Sequence, residues 1–168
     1  MNSIETRTAF ARRRAVILTA LTGAVTAAAL IPLALPGKHG TAQATAATLY
    51  KNPECECCDG YAAYLRENGF EVTVKATHDV PLMQQAAGVP EGFVGCHLTM
   101  IADYAVAGHI PIATINRLLG ERPAIKGVVL PGMPMGSPGM GGTKEGPFVI
   151  YEIGGESKVG VPNVYATE

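Results

Sequence analysis

Four cysteines occur in the 168-residue chain, and three of them, Cys55, Cys57 and Cys58, fall in the stretch K-N-P-E-C-E-C-C-D-G-Y at residues 51–61. A disulfide stabilises a fold by closing a loop, and thiols this near one another close almost none. The chain must therefore be held by an apolar core rather than by staples. The bunching itself calls for a chemical explanation, and only Cys96 stands apart from it.

The first 44 residues read as a leader. Arg7, Arg12, Arg13 and Arg14 precede an uncharged Ala/Leu/Thr/Val run from Ala15 to Leu35, and Ala42-Gln43-Ala44 has the small-x-small form of a cleavage site, the pattern of a secretory signal peptide. A retained anchor is the alternative, since about 20 apolar residues span a bilayer, but Gly23, Pro32 and many Thr and Ala make this run only mildly hydrophobic. The paired arginines raise the twin-arginine route, although Ala15 and Val16 follow where a bulkier pair is expected. Cleavage near Ala44 would leave residues 45–168 as one exported domain with no stable membrane anchor, large enough to bury its own core. From Thr45 onward eight Lys and Arg face thirteen Asp and Glu, a formal charge of −5, which argues against nucleic acid or anionic membrane as a partner.

Within that domain T-L-Y-K at 48–51 reads as a strand leading into the cysteine turn, and Asp59 to Asn68 as a helix stopped by Asn68-Gly69. Phe70 to Ala76 alternates as a strand does, and Val80 to Ala87 forms a short helix closed by Gly88 and Pro90. Leu98 to Ala102 and Tyr104 to Ala107 predict a hairpin, and Pro111 to Leu119 a helix with Ile112, Ile115, Leu118 and Leu119 on one face. The order β-α-β-α-β-β-α is that of an α/β, thioredoxin-like sandwich. A Gly/Pro/Met loop from Leu130 to Gly142 is too rich in breakers for a regular element. Phe148 to Ile153 and Val159 to Val164 then predict a C-terminal hairpin across Gly154-Gly155.

Cys55 and Cys58 have the C-x-x-C spacing of a redox dithiol, but Cys57 between them offers a competing disulfide partner. A metal site gains from the third thiol. Neighbouring side chains at a helix start point about 100° apart, so Cys57 and Cys58 suit bridging separate ions better than chelating one. Thiolate and thioether donors select Cu(I). Zinc is the competing metal, although structural zinc usually takes two separated pairs of ligands; an ordinary disulfide with a spare thiol is the bland alternative. Cys96-His97 and His109 sit at the two ends of the predicted hairpin, which brings two imidazoles and the fourth thiol to one side of it. Met133, Met135 and Met140 lie in a loop with no core to fill, and thioethers there fit the same ion.

These residues resemble those of a family of small exported metal-binding proteins long classed as a domain of unknown function, whose named members are the CopG-type copper-resistance proteins. The resemblance runs from about Leu49 to Met140 and rests on Cys55-x-Cys57-Cys58, Gly88-Val89-Pro90, Cys96-His97, Gly108-His109-x-Pro111, Arg122-Pro123 and the stretch from Pro131 to Met140. It departs at Gly95, Leu98 and Ala107, where polar residues are usual. It implies a periplasmic thioredoxin-like protein that handles copper as a cysteine-bridged cluster of several ions. The expected function is Cu(I) sequestration or relay in copper tolerance, with other periplasmic copper-handling proteins as partners. Cys55, Cys57, Cys58 and Cys96 would bridge; His97, His109, Met133 and Met140 would cap, with Met135 optional. A metal-binding protein is favoured over an enzyme. The alternatives are a thiol or copper oxidoreductase using Cys55 and Cys58, and a structural zinc domain.

Overall fold

The structure is a computed structural model that describes residues 44–155 and 160–168; the expected leader, up to residue 43, lies outside the described residues. Its elements run β1 (Thr45–Lys51), α1 (Glu56–Glu67), β2 (Phe70–Ala76), α2 (Val80–Ala87), β3 (His97–Ile101), β4 (Tyr104–Ala107), α3 (Ile112–Glu121), β5 (Gly127–Val129), β6 (Val149–Ile153) and β7 (Val164–Thr167), with a 3-10 turn at Glu91–Phe93. The first seven follow the order expected from the sequence. All strands join one mixed sheet in the order β2-β1-β3-β4-β5-β6-β7. β1 runs parallel to β2 and β4 parallel to β5, while the other neighbours are antiparallel.

Alternation along the strands builds a core on each face of the sheet. On one face Leu49, Ile101, Val106, Val128 and Ile150 pack with Tyr61, Ala62 and Leu65 of α1 and with Ile115 and Leu118 of α3, all fully buried. On the other, Leu98, Ala105, Ala107, Val129 and Ile153 pack with Met83 and Ala87 of α2. Each fully buried aliphatic or aromatic side chain contributes roughly 1.5–3 kcal/mol, so no cross-link is needed to hold the sheet. Among the described residues no helix is long and apolar enough to cross a membrane.

Two sequence expectations are corrected. β5 was not anticipated: three residues are too few to show a period, and the strand exists because it is buried between β4 and β6. The last strand falls at Val164–Thr167 rather than Val159–Val164. Pro162 has no N–H to give a ladder, and pairing begins only where Asn163 accepts from the Glu152 N–H and Val164 meets Tyr151. Residues 156–159 of the expected hairpin lie outside the described residues. Elsewhere the element ends shift by a few residues: α1 starts at Glu56 instead of Asp59, which draws Cys57 and Cys58 into its first turn.

Candidate metal centre

Three segments meet at the start of α1. Cys55 occupies the helix N-cap position with Cys57 and Cys58 in the first turn. Cys96 immediately precedes β3, and its carbonyl accepts the Asn52 N–H at 3.1 Å. The sulfur atoms of all four cysteines lie within 4.8 Å of one another. In this structure Cys55 and Cys58 form a disulfide, and Cys57 and Cys96 are free thiols. The Cys96 Sγ stands 3.1 Å from Cys55 Sγ and 3.3 Å from Cys58 Sγ, and Cys57 Sγ is 3.4 Å from Cys55 Sγ. Burial pushes the Cys96 thiol up to about 11, the nearby Cys57 adding to the shift and Lys51 opposing it. Asn52, Glu54, Cys55, Cys57, Cys96 and Met133 line an open concavity, so the cluster faces solvent on one side.

A second group lies behind the first. Cys96 Sγ and ring nitrogens of His97 and His109 are also within 4.8 Å of one another, which makes Cys96 common to both groups. The two imidazoles are fully buried, pack edge to face at 4.9 Å between centroids, and each lies tilted against Tyr61, with centroids 5.0 and 5.1 Å apart. Backbone carbonyls set their tautomers. His97 Nε2 donates to Gly108 O at 3.1 Å and His109 Nδ1 donates to Pro138 O at 2.6 Å. The opposite nitrogens, His97 Nδ1 and His109 Nε2, have no hydrogen-bond partner among the described residues. A carbonyl on one ring nitrogen with a lone pair left bare on the other is how metal-binding histidines are oriented. The polar side chains missing at Gly95, Leu98 and Ala107 are thus not what holds these rings.

Local chain geometry explains the placement. Gly108, with φ of 79°, lets the end of β4 pass directly against the Leu130 carbonyl, where any Cβ would collide. That crossing turns His109 inward. Likewise the Met loop lies against α1: a Cβ on Gly60 would sit 2.7 Å from Gly139 O, and this contact brings Pro138 O to His109.

Of the nine residues expected to bind metal, the structure gathers seven. The Met133 Sδ is 3.4 Å from Cys96 Sγ, while the residue stays partly exposed and adopts a left-handed φ of 45° after Gly132. Met135 is not at the cluster; it lines a separate groove with Glu145 and Phe148. Met140 is half-buried, its N–H bound to Ser137 O. Sequence reasoning missed Lys51, whose side chain is buried beside the cluster and pairs with Asp59 at 2.6 Å. A lysine ending an alternating strand carries no signal of this.

Burial, reinforced by the nearby His109, pushes His97 from 6.5 down to about 3, and burial lowers His109 also. Because the folded pKa is depressed, the unfolded chain takes up protons that the native state refuses between pH 6.5 and about 3, so stability is fully present above 6.5 and falls below it. Metal-free protein is expected to lose ~2 kcal/mol of unfolding free energy from His97 alone between pH 6.5 and 5, at ~1.4 kcal/mol per pH unit. Urea titrations at pH 7.5 and 5 check this, with His97→Phe expected to flatten the slope. An equal slope in both proteins would assign the acid sensitivity elsewhere.

Fold and site together define an α/β domain with a cysteine and histidine cluster able to hold metal. Residues 93–140 match the family model described as "Protein of unknown function, DUF411". Two solved structures, "Copper resistance protein copG- Form 2" and "Copper resistance protein copG- Form 1", are similar to the chain at 32% identity with a TM-score of 0.64. Each match covers 74% of this chain, and 98% and 97% of the respective neighbour. The chain belongs to the CopG-type DUF411 family. No curated protein matches it.

Proposed function

We propose that the protein binds Cu(I) as cargo in the periplasm, holding more than one ion in a cysteine-bridged site for sequestration or relay in copper tolerance. The observation that carries this is the sharing of Cys96 between a four-thiol group and a Cys-His-His group. One sulfur within reach of both suits a bridge between ions, and soft thiolates with imidazole suit Cu(I). The naming of both similar structures as copper resistance proteins supports the choice of metal. The sheet order β2-β1-β3-β4 and the placement of Cys55 and Cys58 at a helix start support a thioredoxin-like reading of the N-terminal part. Export rests on the Arg-rich, apolar leader.

Copper analysis of the mature protein, reduced by a dithiol and loaded without air, is the test. More than one Cu(I) per chain is expected; a single zinc ion held in preference to copper would replace this reading with the structural zinc domain. The Cys55–Cys58 disulfide favours a second reading, a thiol or copper oxidoreductase, because Cys96 stands close enough to both sulfurs to exchange with either.

A further inference from the structure

Cys96 lies between the 3-10 turn and β3, outside any regular element; its own carbonyl takes the Asn52 N–H, and its two neighbours are held from another side. α2 contributes no ligand, yet its Gln84 is fully buried. The Gln84 Nε2 donates to Gly95 O at 2.8 Å and to His97 O at 3.2 Å, and its Oε1 accepts the Gly95 N–H at 2.9 Å. All three bonds fall on the two residues flanking Cys96. The amide therefore exchanges both backbone groups with Gly95 and reaches across Cys96 to His97.

We propose that Gln84 is a positioning residue for the metal centre: its amide clamps Gly95 and His97 so that Cys96 Sγ stays within reach of both ligand groups. This rests on reading Cys96 as a shared metal ligand. The chemistry restricts the position to glutamine. Glutamate offers no donor for the two carbonyls when ionised, asparagine is one methylene short, and an apolar residue takes this partner from one buried and two part-buried backbone groups. Gly95 presents no side chain, and a Cβ there would meet nothing within 4 Å, so it is the Gly95 backbone that carries the clamp.

Two measurements on Gln84→Met test it. Removing a partner that orients a ligand costs ~10–100-fold in metal affinity, so chelator competition should show Cu(I) bound that much more weakly. In metal-free protein with the Cys55–Cys58 disulfide intact, peptide-resolved iodoacetamide labelling should speed up at Cys96 and stay unchanged at Cys57. A general loosening of the fold would speed both. Should Gln84→Met not fold, Gln84→Glu carries the same test, since it keeps the acceptor for Gly95 and loses the donor. Unchanged labelling at Cys96, or equal acceleration at Cys57, overturns the proposal. Failure of wild-type protein to bind Cu(I) would remove the copper reading, while the labelling measurement would still decide whether Gln84 holds Cys96.

Discussion

Cys96→Ser is expected to remove copper from the reduced protein more completely than any other single cysteine substitution. Cys96 is the one sulfur common to the four-thiol group and the Cys-His-His group, and it contacts Cys55, Cys58 and Met133 at 3.1, 3.3 and 3.4 Å. A hydroxyl in its place is a hard, protonated donor that binds Cu(I) poorly. Loss should exceed the ~10–100-fold that an orienting partner is worth, and copper per chain should fall well below one. Cys57→Ser should lower stoichiometry sharply and yet leave ions at Cys96 and the imidazoles, because Cys57 belongs to the four-thiol group and not to the Cys-His-His group. Met133→Ala should keep the fold and most copper and hasten transfer to a competing chelator, its thioether being neutral and partly exposed. Met135→Ala is the control, since its side chain lies in another groove. Mass spectrometry of loaded proteins and chelator competition check the series. Full copper in Cys96→Ser would end the shared-ligand argument.

Oxidation state should matter almost as much. With the Cys55–Cys58 disulfide closed, two of the four sulfurs are bonded to each other, leaving Cys57, Cys96 and the histidines as donors. Reduction by a dithiol breaks that S–S bond with two electrons and two protons from the reductant, which itself becomes a disulfide. Air-oxidised protein is expected to bind fewer Cu(I) ions per chain than dithiol-reduced protein, which should bind more than one. Equal loading in both states would show that Cys55 and Cys58 are not ligands. If the disulfide instead exchanges with a small dithiol, which is oxidised as Cys55 and Cys58 are reduced, at a rate that Cys57→Ser leaves unchanged, the oxidoreductase reading prevails.

Much of the scaffold was legible in the chain because it depends on neighbours along it. The cysteine cluster and the alternation of Phe70–Ala76 are local patterns, and so is the hairpin of β3 and β4. That hairpin carries Cys96-His97 to one end and His109 to the other, and its antiparallel pairing of Leu98 with Ala107 brings them together. β5 was invisible because three residues show no period and its reason for existing is burial between other strands. The shift of the last strand turned on Pro162, which brings no N–H to a ladder.

What the sequence by itself determined was the donor set: which thiols, imidazoles and thioethers are available, and that the thiols are too close together to serve as staples. Tertiary structure alone decided how they are used. It brought Gly108 O and Pro138 O onto His97 and His109, leaving one nitrogen of each without a partner. It also placed Met133 at Cys96 and Met135 elsewhere, buried Lys51 beside the thiols, and set Gln84 across the backbone around Cys96. These contacts join separate segments, from 8 residues apart for Lys51 and Asp59 to 37 for Cys96 and Met133, and their geometry follows from packing two cores against one sheet rather than from any pattern that neighbouring residues display.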